Sequence, residues 1–181
     1  MKPIGPLMRE HRLIERMVTN LDRSMKYAKE KKRIDGPFLT TAIDFFRTYA
    51  DRTHHGKEED ILFRELSKKE LKPEDRRVMD ELIQEHSWAR KMVSRLVDAK
   101  NSCGNSESLE QTLICIQELV NFYPAHILKE DKHFFYPCLE YFTQAEQNAM
   151  LDEFWEFDRK LIHEKYQNIL TEMELLNNHT H

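Results

Sequence analysis

The sequence predicts an all-α protein, an up-down four-helix bundle with an additional C-terminal fifth helix. The chain of 181 residues contains only 4 glycines and 6 prolines, and 33% of its residues are charged. Its apolar residues recur at steps of three and four, which is the period of an amphipathic helix. The length fits one domain, so we expect residues 1–176 to form a single domain and residues 177–181 to form a disordered tail.

Each predicted helix has an apolar stripe and recognisable end signals. The stripes lie at 7–28, 39–61, 78–96, 116–130 and 155–176. The turn Asp35-Gly36-Pro37 separates the first helix from the second. Pro73 suits the first turn of the third helix, and Thr143 with Glu146 forms the signature of a capping box before the fifth. Short connections between long helices favour the up-down arrangement.

The composition excludes several classes of protein. The formal net charge is −4 with both signs mixed along the chain, so no basic surface for nucleic acid is expected. The sequence has no run of about 18 apolar residues that could cross a membrane, and its polar start is unlike a signal peptide. The three cysteines form no C-x-x-C pair, which favours a reducing compartment. We therefore expect a cytoplasmic monomer or homodimer that binds neither nucleic acid nor membranes.

Two parts of the chain resemble each other. Residues 54–63 and 126–135, which begin 72 positions apart, both read H-x-x-x-E-acid-x-x-apolar-Phe. Glu10-His11 and Glu85-His86 form a second pair 75 positions apart, and each histidine is followed six residues later by Met-Val. This repeat predicts two related helical hairpins. Each hairpin contributes one histidine from its first helix and an H-x-x-x-E from its second.

Six polar residues stand in the apolar stripes where leucine would be expected. They are His11, His54, Glu58, His86, His126 and Glu130. Burying such groups without partners would cost roughly 1–3 kcal/mol each, and more for the carboxylates. A His and a Glu four residues apart lie on one helix face, so both can bind the same cation or two adjacent cations. Imidazole nitrogen with carboxylate oxygen suits iron, manganese or zinc. The six residues therefore predict a metal site in the bundle core.

The order H…H-x-x-x-E…H…H-x-x-x-E across four helices resembles the hemerythrin-like (HHE cation-binding) domain family, over roughly residues 6–136. This resemblance implies two non-heme iron ions in the core, bridged by carboxylates and by an oxo or hydroxo group. It also implies that the four histidines are terminal ligands and that Glu58 and Glu130 bridge the irons.

The sequence departs from the oxygen-carrying hemerythrins, which have a second histidine one turn from the third-helix histidine. Here the residues flanking His86 are Leu82 and Arg90, which cannot bind iron. One terminal nitrogen ligand is therefore missing, and His163 in the fifth helix is a candidate to supply it. Two octahedral irons offer about twelve positions, of which the predicted ligands leave about two open, or about one when His163 binds.

Three polar neighbours of the ligand set are expected to stay outside it. His55 lies one residue off the apolar stripe and is not expected to bind metal. Glu59 and Asp131 are expected to be solvated or to orient a ligand histidine.

Open coordination positions favour a protein that binds dioxygen or nitric oxide at the di-iron centre, for storage, scavenging or sensing. One alternative is a di-iron enzyme that acts on peroxide or nitric oxide, or that oxidises iron. Another is an iron-sensing or iron-donating module. All three functions use the same ligands, so the sequence does not separate them.

Overall fold

The computed structural model describes the backbone of residues 2–102 and 106–178 and the side chains of residues 2–102 and 108–161. Over these residues the chain is helical and contains no strand, which confirms the all-α prediction. The five long helices are α1 (Ile4–Lys31), α2 (36–66), α3 (Pro73–Asn101), α4 (106–139) and α5 (Gln144–Asn178). None of the described helices combines the length and hydrophobicity needed to span a bilayer.

Two of these helices, α2 and α4, change their hydrogen-bonding pattern along their length. The π-helical segments are Phe45–His55 and Glu58–Phe63 in α2, and Glu130–Phe134 in α4. The preceding segments, Gly36–Asp44 and Ser106–Lys129, are α-helical. A π-helix bonds residue i to residue i+5, so each turn holds more residues and the inward face shifts along the sequence. Such segments are rare and occur frequently at functional sites.

The helix ends follow the local sequence. Lys32 adopts a left-handed conformation with φ 55° and ends α1. The Asp35 carboxylate accepts a hydrogen bond from the Phe38 amide at 2.9 Å and caps the start of α2. The Thr143 amide donates to Glu146 Oε2 at 2.8 Å, and the Glu146 amide donates to Thr143 Oγ1 at 3.3 Å. The predicted capping box at the start of α5 is therefore confirmed.

Four of the helices form the bundle, and α5 adds Met150 and Phe154 to its apolar core. Both α1 and α3 pack against α2 and α4, as in an up-down bundle, and α5 packs against the π-helical part of α2. The core contains two separate apolar clusters. Along α1, Leu7 belongs to one cluster and Ile14 to the other, with the buried His11 between them. On α2 and α3 the predicted ligands His54, Glu58 and His86 likewise lie between the two clusters. On α4 His126 and Glu130 lie where one cluster gives way to the other, so the fold contains a polar layer inside an apolar core.

Candidate metal centre

Seven buried side chains, five histidines and two glutamates, meet in this polar layer. None of them is more than 3% exposed. They form two groups, within each of which the potential ligand atoms lie within 4.8 Å of one another. The first group is His55, His86 and His126. The second group is His11, His54, Glu58 and Glu130.

All six residues that the stripes of the first four helices single out therefore come together. The remaining candidate, His163, falls within the range of α5, but its side chain lies outside the described residues. Its role as a ligand stays a prediction.

The expectation that His55 lies off the site is wrong. Its side chain is 1% exposed, and its ring stacks on that of His86 with a centroid distance of 3.9 Å. The cause is the π-helical backbone of Phe45–His55, which turns His55 onto the same inner face as His54. An apolar period of 3.6 residues does not reveal this shift, and the only signal in the sequence is the pair of adjacent histidines.

The carboxylates of Glu58 and Glu130 lie between the two groups. Glu58 Oε1 is 3.5 Å from His54 Nε2, and Glu58 Oε2 is 3.4 Å from His86 Nε2. Glu130 Oε1 is 3.5 Å from His86 Nε2, and Glu130 Oε2 is 3.1 Å from His11 Nε2. Each carboxylate therefore faces a histidine of both groups, which is the position that a bridging ligand requires.

The inward atoms of this layer are unsatisfied. The five Nε2 atoms and the four carboxylate oxygens have no hydrogen-bond partner among the described residues, although they lie close to one another. Each such orphaned atom costs roughly 1–3 kcal/mol in a buried site. Cations placed among them would satisfy all nine atoms. A donor set of nitrogen and oxygen without sulfur suits iron, manganese or zinc, so the residues fit the metal site that the sequence predicts.

The two inward carboxyls influence each other's protonation. Burial and the negative charge of Glu130 raise the pKa of Glu58 well above its usual value. Burial would also raise the pKa of Glu130, but the surrounding imidazoles, above all His126, lower it well below its usual value. Without a cation, these opposite shifts favour the proton on Glu58 and the negative charge on Glu130. A cation between the carboxylates would take the place of that proton.

The outward nitrogens of the histidines are held by carboxylates. The pairs, with their Nδ1–oxygen distances, are His11–Asp131 at 2.7 Å, His54–Glu10 at 3.0 Å, His86–Glu59 at 2.7 Å and His126–Glu85 at 2.8 Å. An ionised carboxylate can only accept, so Nδ1 carries a hydrogen, and in the neutral ring that binds a cation Nε2 presents its lone pair to the centre of the bundle. The structure thus confirms that Glu59 and Asp131 orient histidines of the predicted set. It adds Glu10 and Glu85 in the same role.

Cations hold these outer carboxylates in turn. The ion pairs are Asp131–Arg12, Glu10–Lys57, Glu59–Arg90 and Glu85–Lys129. Burial would raise the pKa of Glu10, Glu59 and Glu85, but the histidine hydrogen bonds and the neighbouring cations lower it. These carboxylates therefore remain ionised at neutral pH. Three layers result, namely inward ligand atoms, outer carboxylates and the cations that hold these carboxylates. The outer carboxylates and the two lysines follow the two-fold repeat of the sequence, whereas Arg12 and Arg90 do not occupy matching positions.

Aromatic rings stack on two of the inward histidines. The ring of Phe135 stacks on His11 with a centroid distance of 5.5 Å, and that of Phe122 stacks on His126 at 5.0 Å. These apolar faces exclude water from the layer, which strengthens the electrostatic interactions within it.

Comparison with known proteins agrees with this geometry. The family model of the hemerythrin HHE cation-binding domain matches residues 2–139, which include every residue of the two groups. Comparisons with curated proteins and with solved structures gave no significant match. The family match spans more than half of the chain and includes every histidine and glutamate that the described part of the structure buries, so the chain belongs to the hemerythrin HHE cation-binding domain family.

Proposed function

We propose that this chain is a non-heme di-iron protein that binds dioxygen or nitric oxide, for storage, scavenging or sensing. The observation that carries the proposal is the convergence of nine buried, unpartnered ligand atoms in two unequal groups. A single cation would leave several of these atoms unsatisfied, because it accepts about six ligands at most in this kind of site.

The ligand count supports one open position. One ion would bind the three histidines of the first group, and the other would bind His11 and His54. Glu58 and Glu130 would each give one oxygen to each ion. An oxo or hydroxo bridge would then complete about six ligands on the first ion and leave one position free on the second.

When bound, a reduced iron pair supplies two electrons and an exchangeable coordination position to a diatomic ligand. The chain supplies the conditions for reversibility. The outer carboxylates fix the imidazole rings, and the aromatic rings keep water away from the ion with two histidines. A dry, fixed site favours release of the intact diatomic ligand over its further reaction.

The role of His163 can be tested at this open position. With His55 among the ligands, an imidazole from His163 would fill the last position, and a small ligand would have to displace it. His163→Ala would then bind azide more tightly than the wild type does. An unchanged azide affinity would exclude His163 from the ligand set.

The proposed function is tested with protein purified from iron-replete cells. We expect elemental analysis to give two irons per chain, and azide to bind once per chain. The optical spectrum of the reduced protein should change in air or nitric oxide and return after the gas is removed. The exposed His133 provides a control, because His133→Ala should behave as the wild type. One metal per chain, or zinc in place of iron, would overturn the proposal, and sustained turnover of peroxide or nitric oxide would favour an enzyme.

A further inference from the structure

A lysine is buried beside the candidate centre, where α1, α2 and α5 meet. The side chain of Lys57 is 0% exposed. Its ammonium pairs with Glu10 of α1 and lies 2.8 Å from Asp158 Oδ1 of α5. It also lies 5.9 Å from the centroid of the Phe154 ring. A buried ammonium is tolerated only with such compensation, so the two carboxylates and the ring together keep Lys57 in place.

This lysine connects α5 to one of the histidines. Glu10 uses one oxygen for Lys57 and the other for the Nδ1–H of His54, at 3.0 Å. Both oxygens of Glu10 are therefore engaged, and its orientation depends on both neighbours. A continuous set of contacts runs from Asp158 through Lys57 and Glu10 to the His54 ring.

The second hairpin of the repeat, α3 and α4, contains a matching set of contacts in which both carboxylates come from α3. Lys129, which corresponds to Lys57 in the repeat, pairs with Glu85, and Glu85 holds His126. The second partner of Lys129 is Glu81, at 3.3 Å, and both glutamates belong to α3. The Lys129 side chain is 29% exposed, so water can take the place of a lost partner. Among the side chains that the structure describes, the contacts that hold His126 include no residue of α5, whereas those that hold His54 include Asp158.

The position of α5 beside α2 is fixed by other contacts. Arg64 pairs with Glu153 through two hydrogen bonds, at 2.8 and 2.7 Å, and Lys69 pairs with Glu146 at 2.5 Å. At Gly56 the two helices approach so closely that an added Cβ would lie 2.7 Å from Cζ of Phe157. Asp158 is therefore presented to Lys57 by a docked helix.

We propose that Asp158 of α5 is a positioning residue for one metal ion only, the ion bound by His11 and His54. This inference rests on the proposed di-iron function. Loss of the Asp158 charge leaves the buried Lys57 with one counter-charge. The ammonium then competes with His54 for Glu10 or moves toward solvent with it, and the His54 ring loses its fixed orientation. No described carboxylate of α5 pairs with the cations that support His86 and His126, so we expect the ion held by His55, His86 and His126 to keep its affinity.

The test compares Asp158→Asn with Glu81→Gln, which removes the matching carboxylate in the other half. Each iron-loaded full-length protein is titrated against a ferrous chelator at equilibrium. We expect Asp158→Asn to lower the affinity for one of the two irons by about 10–100-fold, which is the usual effect of losing a residue that supports a metal ligand. The second iron should keep its wild-type affinity, and Glu81→Gln should resemble the wild type. Glu153→Gln controls for weaker docking of α5, and circular dichroism confirms that the variants fold.

A second measurement does not depend on iron. In the diamagnetic zinc-loaded chain, proton NMR reports how fast the ring Nδ1–H of His54 exchanges with water. We expect faster exchange for His54 in Asp158→Asn, with His126 unchanged. Equal weakening of both irons, or unchanged exchange at His54, would overturn the proposed role of Asp158. A wild-type chain that fails to hold two irons would instead overturn the proposed function, and the zinc measurement would still decide the role of Asp158.

Discussion

The turn of α2 that carries His54 and the turn of α4 that carries His126 share one motif but differ in what they contribute. Each places a glutamate one turn after its histidine, at Glu58 and Glu130, facing the same buried layer. The α2 turn adds a second inward histidine, His55, whereas the corresponding residue of α4 is Ile127, which packs in an apolar cluster. A repeated motif thus builds a nearly symmetric cage, and one unrepeated residue makes its two halves unequal.

The difference lies in the backbone as much as in the side chain. His55 ends a π-helical segment, whereas Ile127 lies in the α-helical segment Ser106–Lys129. Because the α2 turn is wider, two adjacent residues can face the centre there. This explains how three histidines can serve one ion and two histidines the other.

The largest effect is expected from the two shared carboxylates. Glu58→Ala and Glu130→Ala each remove a group that faces both sets of histidines, so each variant should lose both irons and fall from about two per chain to near zero. The thermal midpoint should drop as well, because metal binding contributes to folding stability. Elemental analysis and calorimetry measure the two effects. The exposed Glu140→Ala should match the wild type, and a variant of either carboxylate that keeps one tightly bound iron would contradict the symmetric bridging.

A smaller effect is expected from exchanging the unrepeated residues. His55→Ile removes one nitrogen ligand from the ion bound by His55, His86 and His126. That ion alone should bind more weakly, and a second azide should bind at the coordination position that becomes free. Ile127→His should gain no ligand, because its turn is α-helical, and should cost roughly 1–3 kcal/mol for a buried unpartnered imidazole. Azide titration and urea denaturation measure these outcomes. A stabilised Ile127→His protein with altered metal content would show that residue identity alone decides the asymmetry.

The two matching outer carboxylates, Glu10 and Glu85, should contribute similarly to metal affinity but differently to the stability of the fold. Glu10→Gln and Glu85→Gln each weaken the support of one histidine, so we expect a 10–100-fold loss of affinity for one ion in both variants. In the metal-free chain, where iron affinity does not contribute to stability, the two variants should differ. There, Glu10→Gln should lower the free energy of unfolding by up to about 3–5 kcal/mol, because Lys57 is buried. Glu85→Gln should cost below about 1 kcal/mol, because Lys129 is partly exposed. Equal denaturation midpoints for the two variants would contradict this difference.

How far the sequence determines these features depends on the residue. The helices, their ends and the six buried ligand candidates follow from the apolar period, because a polar residue inside a stripe is visible at a spacing of three or four. His55 was missed because a π-helical turn changes that spacing. The burial of Lys57 could not be predicted either, since it depends on how α5 docks against α2. Contacts between helices depend on rotation and distance, which a single sequence does not specify.

The smallest effect is expected at the close contact between α2 and α5. Replacing a helical glycine by alanine usually stabilises a helix by about 1 kcal/mol. Gly56→Ala should show little of this gain, because the new methyl group must displace the Phe157 ring. The corresponding residue of α4 is Leu128, which is 55% exposed, and Leu128→Ala should change stability by less than about 0.5 kcal/mol. Thermal denaturation measures the stability of both variants. If Gly56→Ala gained the whole of about 1 kcal/mol, the Phe157 ring of α5 would move aside at little cost.

Because the polar layer is closed, the rate of metal exchange should depend on motions of the fold. The inward nitrogen and oxygen atoms have no contact with solvent, and apolar clusters lie on both sides of them. We therefore expect an ion to enter or leave when neighbouring helices separate for a moment. Such openings are local unfolding events, and the rates of unfolding rise steeply with temperature. Metal exchange should then be slow in the cold, should accelerate sharply on warming, and should follow the hydrogen exchange of the backbone amides around Phe45–His55.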